Sequence, residues 1–436
     1  MPENSWIQIK DIINSKKDDR TVKIRGWIYR TRSSGNIVFI VLRDSTGVIQ
    51  ATVKKGNLSD KEFEDANKAL IESSIELKGI VKEDKRAPGG YEIQVSDFNV
   101  INFAEPFPIV KDQSPEFLLD QRHLWLRSQH LTSIFKIRST IVGAIHDFFR
   151  KNGFYEFDAP VLQPNQCEGG STLFEVKYYD NKTYLSQSWQ LYAEAGIFAL
   201  EKIYNMGPTF RAEKSKTSRH LSEFWMAEME AAWMDLKGIT EIAKEEIKYI
   251  LKEVLDKNKS ELEILGQDIK KFEKILKSKF PTITYTEAID ILRNKEKMDV
   301  EWGKDLRTIE EDRLMNHFET PVVVTNYPLE IMAFYKPKDP KDPKTALCFD
   351  MIAPEGYGEL IGGSERSLDI SEMKKRLKQM GEKEKNYDWY FDLRRYGSVV
   401  HSGYGVGVER VVAWICGLDN IKDSIPFPRT ILRFRP

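Results

Sequence analysis

The chain has 436 residues, 41% hydrophobic and 31% charged, and its 66 Lys and Arg stand against 67 Asp and Glu for a formal net charge of -1. That balance suits a globular protein of two or three domains and excludes a polycation that grips nucleic acid by bulk attraction, so any such contact must come from a local basic surface. Cys167, Cys348 and Cys416 form no CxxC pair, which argues against a zinc knuckle or a disulfide scaffold. The N-terminal MPENSWIQIKDII lacks the apolar run of a signal peptide, and no stretch has the length of a membrane span. A cytoplasmic protein with no membrane partner is expected.

Residues from about 20 to 104 read as all-β. VKIRGWIY (22–29), IVFIVL (37–42), VIQATV (48–53), 75–81 and 91–95 are short β-branched and aromatic runs, separated by the turn signals SSGN, DSTG and RAPGG. A helical stretch, 59–73, precedes the fourth run. Five short strands with such a helix suit a small Greek-key barrel of the oligonucleotide-binding type. The first two strands carry Lys23, Arg25, Arg30 and Arg32, with Phe39 on the second, and offer cations for phosphates and a ring for a base. An ordinary barrel with solvated cations and a core Phe is the alternative.

The prolines at 106, 108 and 115 mark a linker, and 133–151 then carries Ile134, Ile137, Ile141, Ile145 and Phe148 at helical spacing. FYEFDAPVL follows as an expected strand, LFEVKYY and TYLSQSWQLY as β-formers, and 193–202 as a helix. The stretch GPTFRAEKSKTSRHLSEFWMAEME (207–230) reads as a hairpin with Lys214, Lys216 and Arg219 in its loop and Glu228 and Glu230 on its returning strand. It suits either a polyphosphate with its metal or a solvated surface hairpin. Residues 238–279 form charged helices in which no chemistry is apparent. Strands are expected at 321–325, 347–352 and 358–361, and Asp350 and Glu359 on neighbouring pieces could share one metal. Glu168 in CEGGS sits on a Gly-flanked loop, lid or plain turn. After a helix at 371–384 the chain ends in HSGYGVGVERVVAWICGL, a glycine-rich strand entering an apolar helix that Arg410 opens.

Together these motifs resemble the class II aminoacyl-tRNA synthetases. PTFRAE with RHLSEFW is similar to their motif 2, GYGVGVERVVAWICGL to motif 3, and the helix and strand of 133–160 to motif 1, which builds the family's dimer interface. The aspartyl/asparaginyl branch fits best, on the N-terminal barrel, the QSWQLY segment and the terminal PFPR (426–429). The resemblance implies an α+β fold: a five-stranded OB-fold anticodon-binding domain over 1–104, a linker over 105–131, and a catalytic domain over 132–436. That domain is expected to hold an antiparallel sheet flanked by helices, with a helical insertion at about 238–320.

It also implies roles. Arg211 and Arg410 are the expected catalytic cations, Arg211 on the α-phosphate and the attacking carboxylate, His220 and Arg410 toward the γ-phosphate. Glu213, Arg219, Leu221, Phe224 and Glu359 complete the ATP site, Phe224 as the adenine's stacking ring. Asp350 and Glu359 are expected to hold Mg2+, and Glu168, Ser188, Gln190, Glu228, Gly362 and Arg366 to bind the amino acid. Arg25 and Phe39 are assigned to the anticodon. Aspartyl members follow QSxQLY with a lysine and end motif 2 with Asp; here those positions are Ala193 and Glu228. One cation fewer, and a carboxylate able to accept from an amide, suit asparagine. The implied activity is ATP-dependent ligation of asparagine to tRNA(Asn) through an adenylate, by a homodimer joined through 133–160. The alternatives are an aspartyl enzyme of relaxed tRNA specificity, an asparagine-forming enzyme and a non-catalytic RNA-binding paralogue.

Overall fold

The computed structural model describes residues 5–167, 173–215 and 217–436. The chain forms two compact units, one ending at Leu118 and the other beginning at Leu119.

In the first unit, β1 (Thr21–Ser34), β2 (Ile37–Arg43), β3 (Val48–Lys54), β4 (Ser74–Glu83) and β5 (Tyr91–Asn102) close a barrel in the order β1-β2-β3-β5-β4. The period of two along each strand explains its core. Val38, Ile40 and Leu42 on β2 and Ile49, Ala51 and Val53 on β3 point inward and are fully buried, while Phe39 and Gln50 alternate outward. The helix Asp60–Lys68 starts at a capping box, Ser59 with Glu62, and sends Ala66 into the barrel core. β1 is longer than its apolar run suggested. Polar Arg30 to Ser34 continue the strand because β2 supplies partners, Arg32 opposite Phe39 and Ser34 opposite Ile37.

The first long helix of the second unit is Gln129–Lys151, capped by Ser128. FYEFDAPVL is not one strand. It splits at Pro160, which has no N–H to give to a ladder, into β6 (Tyr155–Glu156) and β7 (Leu162–Gln163), which join different sheets. β7 pairs with β9 (Asn181–Leu185), and β9 with β8 (Glu175–Tyr178), in a small three-stranded sheet. The main sheet has eight strands. β10 (Lys202–Phe210), β11 (Glu223–Ala232), β12 (Thr282–Thr284), β13 (Val322–Thr325), β14 (Cys348–Ala353), β15 (Gly358–Glu365) and β16 (His401–Gly407) join β6 in the order β12-β13-β14-β15-β16-β11-β10-β6. Its interior is antiparallel as expected, but both edge pairs, β12 with β13 and β10 with β6, are parallel.

The helices Gln129–Lys151, Leu236–Lys257 and Val408–Cys416 cover one face of this sheet. Ile141, Ile247, Leu251, Val411 and Trp414 meet Ala227, Met229, Phe349, Met351, Tyr404 and Val406 there in the largest core. The segment taken as a helical insertion is therefore no appendage. Leu236–Lys257 is core, and β12 extends the sheet. Because side chains alternate, the partners of those core residues face the other way: Met226, Glu228 and Glu230 on β11, Gly403 and Gly405 on β16, Gly362 on β15, and Asp350 on β14.

Glu246, on the helix Leu236–Lys257, is fully buried. One oxygen accepts from the Tyr404 hydroxyl at 2.5 Å and the other has no hydrogen-bond partner. Burial, against the Tyr404 hydrogen bond, pushes its carboxyl from 4.5 up to about 8. Between those values the folded chain keeps a proton that the unfolded chain has released. Stability therefore falls as pH rises through that window, by up to about 1.4 kcal/mol per pH unit, and levels off above it. Urea unfolding of Glu246→Gln and wild type at pH 5 and pH 8 is expected to show the variant gaining on wild type at the higher pH. A constant difference would contradict this.

Candidate active site

The open face of the sheet is a trough floored by glycine. One row across four strands runs Glu228, Gly405, Gly362, Asp350, and the next runs Glu230, Gly403, Ser364, Cys348. In the first row a carboxylate stands at each side with only glycine between; in the second Glu230 and Cys348 flank Gly403 and the small Ser364. A cavity of about 490 Å³ lies here, lined among others by Ser188, Gln190, Arg211, Glu228, Asp350, Glu359, Gly362 and Arg366. A smaller one of about 70 Å³ is lined by Arg211, Glu213, Arg219, His220, Leu221, Phe224, Glu359 and Arg410. Arg211, Met226, Glu359 and Gly405 border both. Every residue expected at ATP thus lines the smaller cavity. The described residues expected at the amino acid line the larger one, and Glu168 lies outside the described residues.

Arg211 ends the hairpin's first strand, its backbone N–H donating to the Ser222 carbonyl at 3.0 Å. Its guanidinium lies over the Phe224 ring at 5.4 Å, its Nε has no hydrogen-bond partner, and it makes no ion pair among the described residues. That leaves a planar cation at the junction of the cavities. The other cations are tethered. Arg410 Nη1 donates to the Glu359 carbonyl at 2.7 Å and to its carboxylate at 3.2 Å, and Arg219 Nη2 donates to both Asp312 oxygens at 2.8 and 3.1 Å. Burial, then the charge of Arg410, pushes the His220 imidazole below its ordinary value.

Carboxylates crowd the same place. Burial, then repulsion from Glu359, raises Asp350 well above its ordinary value, raises Asp305, and lifts Glu311 to about 7. A Cβ built at Gly362 would lie 2.7 Å from Glu359 Oε1 and 3.4 Å from Asp350 Oδ1. The two carboxylates therefore converge over a space that no side chain fills. That is a fitting donor set for a hard divalent cation, whose charge would relieve the repulsion.

At the other end Glu228 organises the loop entering the helix Gln190–Leu200. Its oxygens accept from Ser188 Oγ at 2.5 Å and from the Trp189 N–H at 2.9 Å. The Trp189 ring turns away, donating to the Phe157 carbonyl and packing with Ile197, Ile203 and Ala193. Ala193 is thus buried in an apolar cluster and does not line the cavity. Arg366 is locked by Glu230: Nε to Oε1 at 2.9 Å, Nη2 to Oε2 at 2.7 Å, with Nη1 on Ser364 Oγ at 2.9 Å.

Several roles here escaped the sequence. Glu230 was named beside Glu228 on the returning strand but given no role, although the two-residue period puts both on one face. Asp305, Glu311, Asp312 and Lys336 come from segments with no motif, and only the fold brings them to the trough. In the barrel Phe39 is half-buried, with Arg32 and Thr52 as its cross-strand neighbours. Arg25 is not beside it. It pairs across to Glu76 on β4 and covers Trp6 at 5.2 Å.

Residues 114–431 match the family model of class II tRNA synthetases (D, K and N), and residues 22–101 match the OB-fold nucleic acid binding domain. The chain belongs to the class II tRNA synthetases. Asparagine–tRNA ligases of Thermoplasma acidophilum and Thermus thermophilus are 47% and 46% identical to this synthetase over 95% and 96% of its length, covering 96% and 97% of theirs. Asparaginyl-tRNA synthetase of Pyrococcus horikoshii, solved with asparaginyl-adenylate, superposes with a TM-score of 0.95 at 45% identity and full coverage of both chains. An aspartyl-tRNA synthetase of Entamoeba histolytica gives 0.86 at 26% identity, covering 99% of this chain and 93% of its own. Shape alone therefore does not separate the two amino acids.

Gly403 is the tightest point of the floor. A Cβ there would lie 1.8 Å from Glu230 Oε2, 2.5 Å from Arg366 Nη2 and 2.5 Å from the Met229 carbonyl. Gly403→Ala is expected to cost about 1–3 kcal/mol of stability by overpacking and to raise the amino-acid KM by displacing Arg366. An unchanged denaturation midpoint together with an unchanged KM would contradict it.

Proposed function

We infer that this synthetase ligates asparagine to tRNA(Asn) in the cytoplasm, at the expense of ATP and through an asparaginyl-adenylate. The observation that carries the reading is the neutralised specificity end of the trough. Arg366 is already balanced by Glu230, and Glu228 stands nearby as a further carboxylate. An amide side chain suits both partners, since its carbonyl accepts from the remaining Arg366 N–H groups and its NH2 donates to Glu228. An aspartate would meet Glu228 as a like charge, with Arg366 already balanced by Glu230. Sites built on matched hydrogen bonds discriminate by about 10⁴ or more.

In the adenylation step the substrate carboxylate is already ionised, so no general base is needed. The protein's contribution is placement and charge. Gln190, with Ser188 and Glu168, takes the ammonium. Arg211, at the junction of the cavities, holds the attacking carboxylate against the α-phosphate and exchanges its stack on Phe224 for the incoming adenine. Arg410 and His220 hold the far phosphates, with Glu213, Arg219 and Leu221 around the nucleotide. Asp350 and Glu359 would hold Mg2+, which supplies positive charge to the phosphates when bound. The barrel takes the anticodon, with Phe39 as the stacking ring and Arg25 on the phosphate backbone. A second copy of the chain joins through 133–160, where the edge strand β6 carries the exposed Tyr155; a sedimenting mass of one chain at working concentration would contradict the dimer.

Pyrophosphate exchange measured side by side is expected to run with asparagine and to be much weaker with aspartate. Arg211→Ala is expected to lower asparagine-dependent exchange by about 10²-fold or more while tRNA binding persists. Equal exchange with aspartate, or retained exchange in the variant, would overturn the reading.

A further inference from the structure

Beneath the specificity end lies a charged cluster with no exposed surface of its own. Glu194 follows Gln190 by four residues on one helix, so their side chains meet one turn apart, and Gln190 Nε2 donates to Glu194 Oε1 at 3.0 Å. The same carboxylate accepts from the Tyr390 hydroxyl at 2.7 and 2.8 Å and from Arg394 Nη2, and it lies 3.1 Å from His401 Nε2, whose ring places Nδ1 2.7 Å from the Val399 carbonyl. Arg366 Nε is 3.9 Å from Glu194 Oε1. Glu194, Glu230 and His401 come close enough to ligate a metal, but the guanidinium groups of Arg366 and Arg394 already supply their positive charge. One buried carboxylate thus reaches two residues of the amino-acid cavity at once.

This contact has two consequences. An amide that gives its NH2 to Glu194 turns its carbonyl the other way, so Gln190 offers the cavity an acceptor, the polarity an ammonium requires. The cluster also sets the carboxylates of Glu194 and Glu230 against the guanidiniums of Arg366 and Arg394, with the His401 ring beside Glu194. Burial works to raise the Glu194 carboxyl, but Arg394 and His401 outweigh it and hold it low, so the negative charge persists.

We propose that Glu194 is a positioning residue for amino-acid selection: it fixes the amide of Gln190 with its carbonyl toward the substrate ammonium, and its charge offsets the guanidiniums of Arg366 and Arg394 beneath the cavity, favouring an amide side chain over a carboxylate. The proposal rests on the reading that Gln190 and Arg366 bind the amino acid. Glu194→Gln keeps the shape and removes the charge, leaving Arg366 and Arg394 against Glu230 alone. In full-length enzyme, pyrophosphate exchange by this variant is expected to show an asparagine KM raised about ten-fold, the worth of a charge-assisted hydrogen bond. The ATP KM is expected to stay within about two-fold, and the asparagine-to-aspartate ratio of kcat/KM to fall by about ten-fold. Glu194→Asp, which restores the charge at a shorter reach, is expected to recover the ratio while leaving the asparagine KM high.

A folded Glu194→Gln enzyme with an unchanged asparagine KM and ratio would overturn the proposal, as would equal rises in both KM values. Should that variant not fold, Tyr390→Phe removes one donor to Glu194 from outside the cavity and is expected to raise the asparagine KM alone; no change would count equally against it. Arg366→Lys separates the two levels. If it leaves the asparagine KM untouched, the reading of the cavity has failed; if it raises that KM while Glu194→Gln does not, only the role of Glu194 has.

Discussion

Gly405 on β16 and Gly362 on β15 lie side by side in the middle of the sheet, and the site exists because neither carries a side chain. Glu228 stands on one flank and Asp350 on the other, so a pair of larger residues would fill the trough from below. The constraint belongs to the backbone. The alternation that turns Tyr404 and Val406 into the core turns the intervening glycines to the open face. The glycine run near the C-terminus and the hairpin's carboxylates are thus two halves of one device, joined by strand register.

Electrostatics then divides the trough into two regimes. At the specificity end charges are matched in place: Arg366 with Glu230, Arg394 with Glu194. Such pairs contribute little net stability once desolvation is counted, and their value lies in fixing geometry. At the phosphate end the charges are mismatched. Asp305, Glu311 and Asp350 are all pushed upward with Glu359 as a cause, and Arg211 has no carboxylate partner among the described residues. The satisfied end is rigid before any substrate arrives. The frustrated end favours whatever brings the missing charges, a cation for the carboxylates and an anion for Arg211.

Much of this was legible in the sequence because the motifs carry their own register. A hairpin with Arg211 before its loop and Glu228 after it can fold in few ways, and five short β-branched runs with a helix before the fourth announced the barrel. What escaped were groups placed by tertiary packing. Glu194 looked like one more acid on an apolar helix, and only the approach of Arg394 and His401 from more than 190 positions away gives it a role. Ala193 stood out as a missing lysine, yet its methyl group packs among Trp189, Ile197 and Ile203. The selection it signals is therefore exercised by neighbours. The break of FYEFDAPVL at Pro160 was readable from proline chemistry alone; the capture of its halves by two sheets was not.

The strand order also governs when the protein can become active. β16, the last strand among the described residues, is inserted between β15 and β11. As the polypeptide leaves the ribosome, β10 and β11 can pair early, and β13 to β15 can assemble later, but the two blocks keep facing open edges until residues 401–407 emerge. Those edges are the kind that recruit stray strands from other nascent chains. The same strand sets the carboxylate of one block, Glu228, in register with that of the other, Asp350, so the trough has both its flanks only when β16 is in place.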